Sequence, residues 1–394
     1  MKPSASLCVQ CKGTKKLCGM DFCPILKRID AQVGFKTKVS QDVFGPSQEL
    51  FVGSYGYPTV SFGPLATIDR EPVSVKNLYG RPYEEIIDIR TSMVRGNKFS
   101  SVTNRMNLEM QEVALSTKVI DVEMKLSKKP AGNTSFSTLV QPMGPSAPLL
   151  QFKQADNPKI PKRVDTVISE GLLATDALAE LSGHGFDNYY LTNIFSTGAF
   201  GKIENRRMVP TRWSITAMDD ILGKQMMERV RDYPPTNNIV VYSNEYLYNH
   251  FEVLLIPGSW EFENFEAWSP NSVWAGGAAE AVVTEEYEPF WGRTKYADKQ
   301  VGGYYASRFS VLKHLDSIRR QARVVVFREI GSEYMVPVGV FAVRETVKKS
   351  FDNIGFKFQK LNDALEYIST KLKVPITRYL LQSQVLKQTR LLDF

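Results

Sequence analysis

All four cysteines of this 394-residue chain lie between positions 8 and 23, and none follows. A disulfide framework would spread its cysteines to tie distant loops, so this clustering points to a reduced compartment and a shared ligand. Cys8-Val-Gln-Cys11 and Cys18-Gly-Met-Asp-Phe-Cys23 give the spacing C-x2-C-x6-C-x4-C. The two-residue gap lets two sulfurs reach one ion, and Gly13 and Gly19 permit the turns this needs. Four thiolates leave no open position, so the pattern predicts a structural Zn²⁺ on Cys8, Cys11, Cys18 and Cys23. Unliganded cysteines, a redox pair and an iron–sulfur cluster are the alternatives. Lys12, Lys15, Lys16, Lys27 and Arg28 surround the cluster, either to offset thiolate charge or to contact phosphate.

The remainder needs no such staple. With 394 residues, 43% hydrophobic and 23% charged, the chain can bury a large core and suits two or three folding units. A mainly disordered or collagen-like chain is excluded. The longest apolar runs, at 253–256 and 324–327, fall far short of the ~20 residues a membrane helix needs. The opening MKPSASLCVQ has no apolar core for a signal peptide. A soluble, intracellular protein with no membrane partner is expected. The formal charge is +7, and its distribution says more than its size. From 233 to 292 there is no Lys or Arg but nine Glu, an acidic block inside a basic chain. Such asymmetry hints at a nucleic-acid partner.

Residues 41–82, dense in Gly, Pro and aromatics, read as short strands and tight turns. Helices are expected over 82–94, 104–118, 165–181 and 215–230, the third stopping at Gly183 and the last at Pro234. The proline-rich stretch 127–163 reads as an irregular connection. Strands are expected at 239–242, 251–256, 323–329 and 336–343, with helices at 304–320 and 361–372. The residues after Gln382 have little to pack with, so a flexible tail is expected. Helices and strands do not alternate regularly, so the fold class is α+β: mixed sheets with flanking helices and a small zinc knuckle in front.

Three regions offer chemistry. Residues 204–220 pack Arg206, Arg207 and Arg212 beside Trp213, approaching a helix that Thr211 or Ser214 can cap. That is an anion-binding arrangement, or equally a loop held by Arg–Asp pairs. In the helix from Tyr304, a core stripe of Tyr305, Phe309, Leu312, Leu315 and Ile318 leaves charged residues elsewhere, Arg308 and Arg320 among them. These two can face phosphate or simply be solvated. The acidic block holds Trp260, Trp268, Trp274 and Trp291. Glu261, Glu263 and Glu266 can hold Mg²⁺ or Mn²⁺, although the alternation from Trp260 to Phe265 reads more simply as a strand with one solvated face. His184, His250 and His314 have no partner at ligand or triad spacing, and no phosphate-cradling loop is present.

Several longer motifs resemble those of a known family. They are Phe51-Val-Gly-Ser-Tyr-Gly-Tyr-Pro-Thr-Val with Gly63-Pro-Leu65, Gly144-Pro-Ser-Ala-Pro148, Val209-Pro-Thr-Arg-Trp-Ser-Ile-Thr216 and Tyr304-Tyr-Ala-Ser-Arg308. With the cysteine head and the C-terminal tail, they make nearly the whole chain similar to the archaeal Nre family of DNA repair proteins. The resemblance implies a DNA repair factor, cytoplasmic and nucleoid-associated, recruited by the sliding clamp PCNA. It carries no reaction with it. Gln388, Leu391 and Phe394, spaced by three, match a clamp-binding (PIP) motif with a single aromatic where such boxes often have two. In a 3₁₀ turn Leu391 and Phe394 project together as one plug. The expected organisation is a zinc-binding head at 1–28, an N-terminal region at 29–277, a C-terminal region at 278–380 and a clamp-binding tail at 381–394. The expected function is a clamp-tethered repair adaptor that touches DNA through basic patches. The alternatives are a tethered DNA-processing enzyme, either a metal-dependent nuclease or a nucleotide-modifying transferase, and an RNA-binding protein.

Overall fold

A computed structural model describes residues 5–36, 39–68, 70–132, 142–270, 272, 275–276 and 278–387. The chain divides into two compact units. One comprises Pro24–Ser137 and Gln141–Ile221, and the other comprises Met1–Cys23, Thr138–Val140 and Leu222–Phe394. No helix among the described residues is long and apolar enough to cross a membrane. The expected α+β class with mixed sheets and flanking helices is what the structure has.

The first unit is built on a closed barrel in the order β1-β2-β3-β5-β4. Its strands are β1 (Asp42–Val52), β2 (Thr59–Thr67), β3 (Met93–Ser101), β4 (Ile120–Leu126) and β5 (Ser146–Gln154). All neighbours are antiparallel except β3 and β5, which run parallel. Strand β1 is long enough to pair with β4 through its first half and β2 through its second, with an irregularity between Ser47 and Glu49. Gly45 lies just before this change, where a Cβ would fall 2.1 Å from the Thr67 carbonyl oxygen. Alternation along β4 sends Ile120, Val122, Met124 and Leu126 into the barrel core. Each such fully buried aliphatic contributes roughly 1.5–3 kcal/mol. Around the barrel lie α2 (Pro24–Lys36), α3 (Tyr83–Thr91), α4 (Leu108–Leu115), α5 (Lys162–Glu170), α6 (Ala174–Gly183), α7 (Asn188–Ser196) and the start of α8 (Thr211–Val230). Helix α4 connects β3 to β4.

Three expectations change here. The proline-rich stretch contains β5, which pairs with β3 through Ser146–Pro148 and with β4 from Leu149 to Gln154. The single helix over 165–181 is broken into α5 and α6 by Gly171, whose φ of +67° ends α5 in a left-handed cap. Helix α8 begins four residues earlier than expected, directly after Pro210.

The second unit carries α1 (Ala5–Cys11) and a six-stranded sheet, ordered β11-β6-β7-β10-β8-β9. Its strands are β6 (Ile239–Tyr246), β7 (Asn249–Ile256), β8 (Glu261–Trp268), β9 (Val282–Glu288), β10 (Arg323–Ile330) and β11 (Phe356–Phe358). Only β10 and β8 pair in parallel. Helices α9 (Gly302–Ile318) and α10 (Phe341–Ser350) pack against the sheet, as do α11 (Leu361–Lys371) and α12 (Ile376–Leu380). The strand expected at 336–343 does not form: 336–340 are irregular and 341–343 open α10. The tail is also packed further than expected: Ser383 and Val385 are buried, and residues 388–394 lie outside the described residues.

Candidate nucleic-acid interface

Residues 206–213 are drawn onto the barrel by a chain of hydrogen bonds. The Met208 N–H donates to the Val102 carbonyl (2.9 Å), and the Met208 side chain joins the barrel core. The Val52 N–H donates to Thr211 Oγ1 (2.9 Å), and that hydroxyl also meets Ser196 Oγ (3.1 Å). Thr211 and Ser214 are therefore not the helix caps the sequence suggests. Ser214 Oγ donates back to the Val209 carbonyl at 3.3 Å. The Val102 N–H in turn donates to the Pro58 carbonyl (2.9 Å). The loop between β1 and β2, the end of β3 and the start of α8 thus meet on one surface.

That surface is aromatic. Tyr57 and Trp213 have ring centroids 4.9 Å apart at 54°, and they are 50% and 44% exposed. Tyr55 beside them is 97% exposed. Phe99 on β3 is 69% exposed and lies opposite Ser61 of β2. An apolar ring gains by burial, so a cluster left in water on one face marks an interaction site more than a lone exposed ring does. Gly56, with φ of +82°, makes the turn between the two tyrosines.

The surface is also cationic. Segments 53–61, 95–105 and 206–213 contain Lys98, Arg105, Arg206, Arg207, Arg212 and Arg95, the last packed over the Phe51 ring at 4.5 Å, and neither Asp nor Glu. Burial, and then the charge of Arg105, lower the Arg206 pKa from its usual guanidinium value. Two like charges this close favour a bound anion. Arg206 itself is half spent on the fold: Nε donates to the Gly201 carbonyl (2.9 Å) and Nη2 to the Ile168 carbonyl (2.6 Å). Arg207 and Arg212 are exposed. Sequence reasoning found these arginines but took Tyr55 and Tyr57 only as turn residues. The available signal was three aromatics interleaved with glycine from Phe51 to Tyr57.

The other two predicted contacts do not join this face. Arg308 is fully buried, with Nη1 2.5 Å from Glu288 Oε2, so it cannot meet a phosphate as expected. Helix α9 is buried almost all round because it packs on the sheet, which is why its basic residue points inward. Arg320 falls beyond α9, which ends where Arg319 takes a left-handed conformation (φ 51°). Asp316 of α9 pairs with Arg229 at 2.6 Å.

The acidic block is likewise turned inward, apart from the exposed Glu245 and Glu280. Strand β8 has no solvated face: Glu261, Glu263, Phe265 and Glu266 are all buried. Glu266 Oε1 pairs with Arg328 (2.6 Å), and Glu261 Oε2 with Arg323 (3.4 Å). Glu263 accepts the Gln384 N–H (2.6 Å) and the Ser383 hydroxyl. Burial above all lifts the Glu263 pKa to about 7. The reason is the sandwich: even-numbered residues of β8 face Tyr304 and Arg328, odd-numbered ones face Tyr379 and Ser383. His250 Nε2 lies 2.8 Å from Glu252 Oε1. Among the described residues, no three His, Cys, Asp or Glu side chains are gathered to hold a metal ion.

The cysteine head gathers no such group either among its described residues. None of its four cysteines is joined in a disulfide. Gly13 and Gly19 take positive φ as expected, and so do Lys12 and Lys16. The backbone N–H of Leu17 most strongly, with those of Lys15, Gly13 and Lys16, lowers the Cys11 pKa against the opposing effect of burial. Such a ring of N–H donors favours a thiolate. Lys16 Nζ donates to the Asp21 carbonyl (2.9 Å). Lys27 pairs with Glu84 (2.9 Å) and Asp88 (3.0 Å), and Arg28 is fully buried, so these two serve the barrel unit.

Residues 17–275 match the family described as archaeal Nre, N-terminal, and residues 288–394 match archaeal Nre, C-terminal. The chain is 36% identical over 394 residues to DNA repair protein NreA of Archaeoglobus fulgidus, covering 98% of both chains. It is 34% identical to DNA repair protein NreB of the same organism, covering 97% of both. It is also 34% identical to DNA repair protein NreA of Haloferax volcanii, over 89% of this chain and 88% of that one. No solved structure matches.

Proposed function

Since the chain belongs to the archaeal Nre family, we propose that it is a DNA repair protein that holds DNA on the barrel face and is tethered to the sliding clamp by its tail. The observation that carries the DNA contact is the meeting of segments 53–61, 95–105 and 206–213, which bear six cations and no acid. Phosphates are the natural counter-charge for such a face, and their binding releases counterions. Affinity is therefore salt-dependent. An Arg207→Ala/Arg212→Ala protein tests this: its DNA affinity falls by ~1–3 kcal/mol and its salt slope becomes shallower. Unchanged affinity and slope would remove the face from the account.

The clamp contact rests on Gln388, Leu391 and Phe394, whose spacing suits a 3₁₀ plug with a glutamine amide one turn earlier. With one aromatic anchor, a micromolar complex near −8 kcal/mol is expected. Calorimetry of the full chain against PCNA checks it, with Phe394→Ala abolishing the heat.

Zn²⁺ on Cys8, Cys11, Cys18 and Cys23 is proposed for the head, supported by ligand spacing and by the donors around Cys11. The donor chemistry suits the ion, though the four sulfurs are not gathered into a closed cage. Zinc here would order the head and is assigned no chemistry. The repair adaptor is favoured over a metal-dependent nuclease because Glu261, Glu263 and Glu266 already spend oxygens on Arg323, Ser383, Gln384 and Arg328.

A further inference from the structure

The barrel has a specific connectivity. Strand order β1-β2-β3-β5-β4 closes through β1, β3 and β5 are parallel, and a helix joins β3 to β4. This is the arrangement of the five-stranded OB barrel, whose strand 2–3 face and β1–β2 loop take oligonucleotides or oligosaccharides. Architecture alone does not assign a ligand. The side chains at those positions do.

We infer that this face binds single-stranded DNA, with bases stacked on Tyr55, Tyr57, Trp213 and Phe99 and phosphates held by Arg207 and Arg212. The inference rests on the proposed DNA-binding role of the same face and names the form of DNA it takes. Tyr55 and Tyr57 stand on the β1–β2 loop, and Phe99 on the outer side of β3 opposite Ser61. The rings are more exposed than folding requires: Tyr55 at 97% contributes nothing to the core. In a duplex the faces of the bases are covered by their neighbours, so protein rings have nothing to stack on. In a single strand every base offers a face, whatever its identity. The flanking cations and the lack of any Asp or Glu in the three segments favour a polyanion over a neutral oligosaccharide. Gly63 lets β2 and β3 approach closely on this face, since a Cβ there would fall 1.8 Å from the Gly96 carbonyl oxygen.

The test is a titration of the full-length protein with (dT)12, (rU)12 and a mixed-sequence 12-base-pair duplex at one salt concentration. The expected order is (dT)12 tightest. Tyr55→Ala should weaken (dT)12 binding roughly 5- to 150-fold, the loss of one stacked base. Tyr55→Phe keeps the ring and should bind as the parent does, which separates stacking from misfolding. Trp213 fluorescence should quench on (dT)12 addition, and a Trp213→Phe protein should bind without that quench. Equal affinity for duplex and (dT)12, with Tyr55→Ala unchanged, would overturn the single-strand assignment while leaving DNA binding by the face intact. Tighter binding of (rU)12 would overturn it in favour of RNA. Binding of none of the three would overturn both this inference and the DNA reading beneath it.

Discussion

Arg308 and Glu288 form an ion pair in which both side chains are fully buried, Nη1 lying 2.5 Å from Oε2. Tyr304 also donates its hydroxyl to Glu288 Oε2 (3.3 Å), and burial holds that phenol protonated far above its usual range. A pair taken out of water repays its desolvation only while both partners remain. Arg308→Met should therefore destabilise the protein by about 3–5 kcal/mol, by leaving the Glu288 carboxylate uncompensated. Adding Glu288→Leu should recover a good part of that loss. Denaturant titration of the single and double variants checks both, and additive losses would contradict the pairing.

Glu263 predicts a pH dependence with a definite sign. Burial raises its pKa from 4.5 to about 7, so the folded state keeps a proton that the unfolded chain has released. Its contribution is fully present below pH 4.5 and is lost as pH rises through about 7. The penalty at high pH is of order 3 kcal/mol, at 1.36 kcal/mol per pKa unit. Glu263→Gln retains an acceptor for the Gln384 N–H without a charge to desolvate. Its stability should fall less than the parent's between pH 5 and 8. Parallel pH curves for the two proteins would show that Glu263 titrates normally.

For the head, metal analysis of the purified protein should find one Zn²⁺ per chain. Cys11→Ser should release it, since this is a sulfur whose thiolate the backbone N–H groups favour, that of Leu17 most. The barrel and sheet should stay folded, because metal binding and folding are coupled only locally there. Less than half an equivalent of zinc, or a coloured iron centre, would end the proposal.

How much of this was legible in the sequence depends on the range of the contacts. The left-handed positions Gly13 and Gly19 announce themselves as turns, whereas the period of two along β4 falls where no strand is expected and Gly171 breaks what reads as one helix. Strand β8 also has a period of two, Glu261, Glu263 and Phe265 against Phe262 and Asn264, and there the usual reading failed. Its charged side is as buried as its apolar side, because Arg323, Ser383 and Gln384 arrive from elsewhere in the chain. Arg308 failed for the same reason, since its partner Glu288 lies outside its own helix. At the candidate interface, both motifs are visible as unusual strings. That Tyr57 and Trp213 touch follows only from barrel closure and from the Met208–Val102 and Val102–Pro58 hydrogen bonds.

The central claim is that DNA lies on this barrel face, and photocrosslinking tests it most directly. A 5-bromouracil-substituted 12-mer, irradiated with the full-length protein and mapped by mass spectrometry, reports which rings touch the bases. Adducts at Tyr55, Tyr57 or Trp213, lost in competition with unmodified oligonucleotide, are the predicted result. Adducts confined to the cysteine head or the six-stranded sheet, with none in segments 53–61, 95–105 or 206–213, would contradict it.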